Sequence, residues 1–243
     1  MANKKILSFF ITLILCSILT LSLFNTLTFT TSTKKVAAPT KEVATAFIDV
    51  PLENQNEGQP LGNGCEITSL SMLLRYYGYA TNKNQLAELL EYVPVKVTNE
   101  LFGNPHDGFV GDISGGFDAM GVAVEPIAKV AETIVQEEYT VMTEKHLSFK
   151  DLEKLIHKKI PVWVQTTVEF QIPQASDFRI WNTSSGEVQV TPLCHTVVVT
   201  GVDSKFVYVN DPFGFKHRAV DKEQFKTIYQ LVGEESLYLL PTK

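Results

Sequence analysis

The stretch LGNGCEITSLSMLLRYYG, residues 61–78, decides the fold and contains the most informative cysteine of the chain. After a turn broken by glycines, apolar residues recur at the spacing of one helix face, at Ile67, Leu70, Leu74 and Tyr77. Gly78 is placed to end this helix. Cys65 therefore falls in the first turn, where unpaired backbone N–H groups and the helix dipole favour a thiolate.

A cysteine at the start of a helix is either a nucleophile or an ordinary small buried residue. Gly64, directly before it, has no Cβ, so another backbone can approach the sulfur closely. We therefore expect Gly64 to be a substrate-binding residue if Cys65 is a nucleophile.

The N-terminal region predicts a hydrophobic signal peptide or signal anchor over residues 1–29. Lys4 and Lys5 precede an apolar run from residue 6 to about residue 27, which is long enough to span a bilayer. Basic residues before the run and an acidic body after it orient the body outward. We therefore expect an extracytoplasmic protein, anchored in the membrane by this segment or secreted. Residues 30–45 predict a linker and residues 46–243 a single domain.

Charge and cysteine content exclude several classes of protein. The net charge is −6, from 21 basic and 27 acidic residues mixed along the 243 residues, and no basic run indicates nucleic acid as a partner. The cysteines lie at positions 16, 65 and 194, which leaves two in the body, too few for a disulfide framework.

The body changes from helices to strands near its middle. In the first half we expect a short strand at 46–52, then the helix that has Cys65 in its first turn and ends at Gly78, and further helices at 84–93, about 126–135 and 148–159. A long Gly- and Pro-rich loop at 94–124 contains Phe102, Phe109 and Phe117, which favour an ordered loop. From residue 160 onward antiparallel strands are predicted, with a short helix near residue 225. This order predicts an α+β fold, with a helical half packed on an antiparallel sheet and a cleft between them.

The strand-rich half contains possible partners for the thiol. His195 opens one predicted strand and Asp211 closes the next, so in an antiparallel hairpin both lie at the same rim. A catalytic cysteine needs an imidazole to take its proton and a third group to orient that imidazole. Alone, a strand-end His is an ordinary polar residue and an Asp before Pro an ordinary turn residue. The order Cys–His–Asp, with the Cys at a helix start, favours catalysis.

Other polar residues give weaker indications. Gln55 and Gln59 lie upstream of Cys65, and either can donate to an oxyanion beside the Cys65 backbone N–H. His106 and Asp107 form a possible substrate-binding pair in the long loop. His106 has no Cys or Glu at metal-ligand spacing, so no metal is predicted, and no cofactor either.

Cys194 is the second cysteine of the body. Successive strand side chains alternate, so if His195 faces the cleft, Cys194 faces away as a core residue. A disulfide between Cys65 and Cys194 is the alternative.

Together these blocks resemble a known family. VPLENQ, NGCEITSLSMLLRYYGY, GNPHDGFVG, PVWV, HTVVVTGVD and VYVNDPFG are similar to papain-like cysteine peptidases related to the bacteriocin-processing, double-glycine-leader peptidases. The similarity is closer to their stand-alone branch of exported proteins in Gram-positive bacteria, and it covers about residues 46–240.

The resemblance implies roles for single residues. It implies Cys65 as nucleophile, His195 as general base and acid, and Asp211 as the orienting residue. The oxyanion glutamine of the family follows a Val-Pro-Leu strand end, which selects Gln55, while a slightly long spacing to Cys65 keeps Gln59 as the alternative. The leader-processing members are fused to a transporter and act in the cytoplasm, so leader cleavage does not transfer to this outward-facing chain.

Three functions follow as hypotheses. The first is an extracytoplasmic cysteine peptidase that cleaves a peptide or amide bond through an acyl-enzyme. The second is a peptidoglycan amidase or endopeptidase of the same superfamily, acting on cell-wall peptides. The third is a non-catalytic surface protein that keeps the fold and binds peptides.

Overall fold

The computed structural model describes residues 47–242. The predicted signal segment at 1–29 and the linker at 30–45 lie outside the described residues. Within the described range, the helices are too short or too polar to cross a membrane.

Helices alternate with strands in the first half of the described range. The α-helices are α1 (Cys65–Tyr76), α2 (Lys83–Ala87), α3 (Val124–Ile134), α4 (Phe149–His157) and α5 (Lys222–Leu231). Short 3₁₀ turns cover Val168–Phe170 and Ala175–Asp177. Side-chain caps open three of the helices: Asn82, Ser148 and Asp221 each accept a hydrogen bond from a backbone N–H of the first turn.

The predicted helix at 84–93 is shorter in the structure. It begins at Lys83 after the Asn82 cap but ends at Ala87, because Tyr92–Val93 pairs as a strand with Phe109–Val110. The local helical pattern is thus overridden by a pairing with a segment of the long loop, which no local signal predicts.

Within the described residues, ten strands form three sheets. The strands are β1 (Tyr92–Val93), β2 (Phe109–Val110), β3 (Tyr139–Glu144), β4 (Val162–Thr167), β5 (Arg179–Thr183), β6 (Gly186–Val190), β7 (Cys194–Val202), β8 (Phe206–Asp211), β9 (Phe215–Asp221) and β10 (Ser236–Pro241). A six-stranded antiparallel sheet forms the centre of the domain, in the order β3-β10-β4-β7-β8-β9. Two small two-stranded sheets accompany it, β1 with β2 and β5 with β6. The predicted α+β arrangement is confirmed.

The expected strand at 46–52 is wrong for the residues described. Residues 47–54 have no assigned strand, and Ile48 donates a single backbone hydrogen bond to Thr200 O, at 2.8 Å. Pro51 has no N–H with which to continue such a ladder. The segment is held instead by the Asn210 amide, which donates to Val50 O at 2.8 Å.

The core lies between α1 and the central sheet. The apolar face of α1 is fully buried at Leu70, Leu73 and Leu74. The predicted helix and its end are confirmed: Gly78 takes a positive φ of 91°, which glycine adopts without a Cβ penalty. Two buried hydrogen bonds seat the helix on the strands. The Ser69 hydroxyl donates to Thr196 O at 3.0 Å, and the Trp163 indole donates to Glu66 O at 2.9 Å.

The long loop is ordered by only two of its three aromatic residues. Phe109 is completely buried, and Phe102 stacks on Trp181 with ring centroids 4.5 Å apart. Phe117 is fully exposed, so its expected role in ordering the loop is wrong.

We predict that Leu70→Ala destabilises the domain by about 2–5 kcal/mol, because it removes buried methyl groups and leaves a cavity under α1. Urea unfolding of residues 47–243, followed by circular dichroism, measures the change. Leu89→Ala is the matched control, since Leu89 is 48% exposed, and should cost about 0.5 kcal/mol or less. Equal destabilisation by both variants would contradict the assignment of the α1 face as core.

Candidate active site

A cavity of about 120 Å³ lies where the start of α1 meets the start of β7. Cys65 and His195, 130 positions apart in the chain, both line it. Gln55 and Phe213 contribute from the loops on one side, and Met120 from the other. The structure therefore brings the predicted sulfur and imidazole to one solvent-accessible space.

His195 is held by Asp211 as the hairpin pattern predicts. Its Nε2 lies 2.9 Å from Asp211 Oδ1, in a pair that is almost completely buried. The imidazole stacks on Phe213, with ring centroids 4.6 Å apart. Because Nε2 is engaged by the carboxylate, Nδ1 is the ring nitrogen left to exchange a proton with a reacting group.

Asp211 is kept ionised by several donors. Phe213 N–H donates to its Oδ1 at 3.0 Å, and Arg218 Nη1 donates to its Oδ2 at 2.8 Å. Burial alone raises the pKa of this carboxyl, but His195, Phe213 and Arg218 outweigh it and lower the pKa below its usual range. An ionised Asp211 can orient the imidazole and stabilise its charged form.

The Cys65 thiol is protonated in this arrangement. It is 7% exposed and donates a hydrogen bond to Glu66 Oε2 at 3.1 Å. Burial raises the pKa of the thiol well above its usual range, and the Glu66 carboxylate and the Cys194 thiol act in the same direction. Only the backbone N–H of Thr196, next to His195, opposes them. The expectation that the helix start favours a thiolate is therefore wrong.

Glu66 is the important site residue that the sequence analysis missed. It is 1% exposed, lines the cavity and accepts a hydrogen bond from Val122 N–H at 3.1 Å. Burial raises its pKa, while hydrogen bonds from backbone N–H groups and from the Cys65 thiol act in the opposite direction. Gly121 is required here, because a Cβ on it would lie 2.3 Å from Glu66 Oε1. An acidic residue inside an apolar helix face was the signal that could have identified it.

Of the two glutamines, only Gln55 reaches the cavity. Its side-chain amide donates to Leu61 O at 3.2 Å and Gly62 O at 2.8 Å, while its buried Oε1 has no hydrogen-bond partner within residues 47–242. Both amide hydrogens are thus engaged before any substrate binds. Gln59 is exposed and does not line this cavity, and its backbone carbonyl accepts hydrogen bonds from the Lys83 and Asn84 side chains.

Gly64 and Cys194 have different surroundings from those expected. A Cβ on Gly64 would lie 2.6 Å from Leu61 Cβ, so the packing of Leu61 is what requires glycine there. Cys194 does not face away from His195's cleft but lines the same cavity as Cys65, because it is the first residue of β7, where the strand meets a loop. Both cysteines are free thiols, so the disulfide alternative is not formed.

His106 lies in a second, larger cavity of about 240 Å³, and Asp107 is exposed and lines neither cavity. The argument that His106 has no Glu partner is wrong in three dimensions. Its Nδ1 is 2.9 Å from Glu125 Oε2, and one ligand atom each from His106, Glu125 and Glu235 lie within 4.8 Å of one another. Lys145 forms an ion pair with the other carboxylate oxygen of Glu125. The Lys145 ammonium therefore already places a cation beside this cluster.

A solved structure shares this fold. A C39-like peptidase from Bacillus anthracis, solved by crystallography, superposes with a TM-score of 0.73 at 29% identity, covering 81% of this chain and 97% of that one. The peptidase domain of Streptococcus ComA, an ABC transporter, is more distant, with a TM-score of 0.46 at 16% identity over 79% of this chain and 98% of that one.

The sequence itself assigns the family. Residues 47–237 match the Peptidase_C39 like family, and the chain belongs to it. A curated relative, the uncharacterized protein YvpB of Bacillus subtilis (strain 168), is 39% identical over 194 residues, which is 79% of this chain and 75% of that protein. The predicted resemblance and the predicted fold are confirmed.

We predict that Glu66→Gln increases the alkylation rate of Cys65 at neutral pH. Loss of the adjacent negative charge lowers the pKa of the thiol, and each pKa unit changes the thiolate fraction about tenfold. Iodoacetamide labelling between pH 6 and 9, with both cysteines quantified by mass spectrometry, measures the rate. Glu57→Gln, at an exposed site, is the charge-matched control. An unchanged or slower rate in Glu66→Gln would show that the carboxyl does not hold the thiol protonated.

Proposed function

We propose that this protein is an extracytoplasmic cysteine peptidase that cleaves a peptide or amide bond through an acyl-enzyme on Cys65. The observation that carries the proposal is the buried His195–Asp211 pair in the wall of the cavity that also contains the Cys65 sulfur, in a chain of a peptidase family. A peptide is the substrate class that the family implies.

The proposed reaction begins with a proton transfer. The thiol proton moves from its position near Glu66 to His195 Nδ1, and the sulfur attacks the acyl carbonyl. His195, held by Asp211, then protonates the leaving amine and afterwards takes a proton from the water that releases the acyl group. Each step uses the same imidazole nitrogen, because the other nitrogen remains bonded to Asp211.

Two donors are available for the developing oxyanion. As the first residue of α1, Cys65 has a backbone N–H without an intrahelical partner. Gln55 can supply the second, but its amide must first leave the Gly62 carbonyl that it binds in the free protein. Gln55 thus acts only if the loop around Gly62 rearranges when substrate binds.

We predict that Cys65→Ala abolishes hydrolysis and that His195→Ala and Asp211→Asn reduce it by about 10²–10⁴-fold, the range of general acid–base catalysis. His157→Ala, at an exposed position on α4, is the control and should retain full activity. Candidate substrates are identified by labelling protein termini across the proteome and comparing a wild-type strain with a Cys65→Ala strain. Turnover that persists in Cys65→Ala would contradict the proposal.

The same variants separate the peptidase from its two alternatives. Release of muropeptides from purified cell wall by the wild type, and not by Cys65→Ala, would establish the amidase or endopeptidase instead. Peptide binding without turnover by either protein would establish the non-catalytic surface protein.

The extracytoplasmic location follows in the proposal from Lys4, Lys5 and the apolar run after them. We predict that a membrane-impermeant amine reagent labels the protein on intact cells, while a cytoplasmic marker stays unlabelled. Recovery in the membrane pellet indicates an anchored form, and recovery in the medium a secreted one. Labelling only after lysis would contradict the location.

A further inference from the structure

The larger cavity adjoins the candidate active site. Met120, Thr191 and Cys194 line both cavities, so a peptide bound at Cys65 can place a neighbouring side chain in the larger one. Its volume of about 240 Å³ is below the roughly 300–1,000 Å³ of small-molecule sites. The cavity is therefore of a size for one long side chain.

Part of the wall of this cavity is apolar. Met120, Val122, Phe178, Val188, Val190 and Val232 line it. These side chains can pack against the aliphatic part of a long substrate side chain.

Hydrogen-bond acceptors are concentrated where β4 meets the start of β10. Gln165 and Glu235 are neighbours there, because Gln165 N–H donates to Glu235 O at 3.2 Å, and both line the cavity. The Gln165 amide nitrogen donates to Val122 O at 3.0 Å, which leaves its Oε1 to accept. Glu235 Oε2 accepts a hydrogen bond from Val124 N–H at 2.9 Å, which leaves the other carboxylate oxygen to accept a further hydrogen bond. The remaining capacity of both side chains is to accept hydrogen bonds.

Glu235 is a buried carboxyl in the wall of this cavity. Within residues 47–242 it forms no ion pair, because His106 and Lys145, the nearby cations, are both engaged by Glu125. Burial raises the pKa of Glu235, and Glu125 adds to this, against the hydrogen bond from Val124 and the charges of His106 and Lys145. A ligand cation would favour its ionised form.

We propose that this cavity binds a basic side chain of the substrate peptide, with the ammonium of a lysine-type residue on Glu235 and Gln165 Oε1. An ammonium has three donors and no acceptor, which complements the two acceptors that Glu235 and Gln165 place in the cavity wall. The inference rests on the proposed peptidase function for its place beside Cys65, but binding can be tested without turnover.

A divalent cation at His106, Glu125 and Glu235 is the competing occupant. The paired Lys145 argues against it, since the ammonium already takes one oxygen of Glu125. The experiment includes this occupant as a separate outcome.

The test measures peptide binding to the full chain carrying Cys65→Ala by isothermal titration. The probes are acetyl-Ala-Ala-Lys-Ala-Ala-amide and the same peptide with norleucine, which keeps the four-carbon chain without the ammonium. We expect the lysine peptide to bind about tenfold more tightly, as hydrogen bonds to charged groups contribute on this scale. Adding Glu235→Gln should reduce the difference to less than about threefold, while the amide oxygen can still cap Val124.

Glu234→Gln is the matched control, because it removes the same charge one residue away and does not line the cavity. It should leave the lysine preference unchanged. Gln165→Met is a second variant, expected to weaken lysine binding independently of Glu235, and urea unfolding checks that each variant is folded.

Equal affinities of the two peptides would overturn the inference, as would a lysine preference that Glu235→Gln and Gln165→Met leave unchanged. An equal loss of lysine preference in Glu234→Gln would also overturn it. So would binding of Zn²⁺ or Ca²⁺ that depends on His106 and displaces the lysine peptide. Cleavage by the wild type without lysine preference refutes this inference alone. Lysine-selective binding without cleavage by the wild type refutes the proposed function and leaves the binding site standing.

Discussion

The arrangement of the site depends on how α1 docks on the central sheet. The Ser69 hydroxyl binds the carbonyl of Thr196, the residue after His195, and the Trp163 indole binds the carbonyl of Glu66, the residue after Cys65. Each bond is therefore one residue away from a group of the proposed reaction. Their net stabilisation is about 1 kcal/mol each, but breaking one leaves a buried polar group unpaired at about 1–3 kcal/mol. A slip of one residue along β7 would also turn His195 to the other face of the sheet, so the docking fixes the register as well as the distance.

The same docking decides the charge of the sulfur. A helix start contributes about 0.3–1 kcal/mol in favour of an anion, and up to about 2 kcal/mol in partly buried geometries. Burial can shift a pKa by about 3–5 units in the opposite direction, and Glu66 adds a further unfavourable charge. The effect of burial on the pKa therefore exceeds that of the helix dipole, and Cys65 is a protonated thiol. In the proposed reaction, the helix dipole and the Thr196 N–H act mainly once the imidazole has taken the proton.

The patterns with local physical causes were predictable from the sequence. The α1 stripe, the Ser148 cap and the long apolar strands β4, β7 and β8 appear where their residues indicate. The hairpin argument also placed His195 beside Asp211. What could not be predicted depends on contacts between distant segments: the β1–β2 pairing that shortens α2, and the packing of Leu61 that requires Gly64.

The site shows the same division between local and distant causes. Glu66 follows Cys65 directly, yet its role depends on Val122 and Gly121 from the long loop, more than fifty positions away. The Glu125 partner of His106 lies nineteen positions along the chain, on α3, and spacing rules for metal ligands do not reach that far. Buried polar residues find partners from whichever segment the fold brings near, and one sequence does not specify that segment.

Together the two cavities are lined by residues of two central strands, β4 and β7, and by residues of loops. The paired strands β4 and β7 set the positions of His195, Cys194 and Gln165, because Thr166 pairs with His195 and Thr167 with Cys194. Further wall residues come from segments 105–106, 119–123 and 231–235, which lie outside the strands of the central sheet. Reactive groups need positions fixed within fractions of an ångström, while recognition can change by substitution in loops. The proposed chemistry is therefore tied to the family fold, and the substrate preference to the loops of this chain.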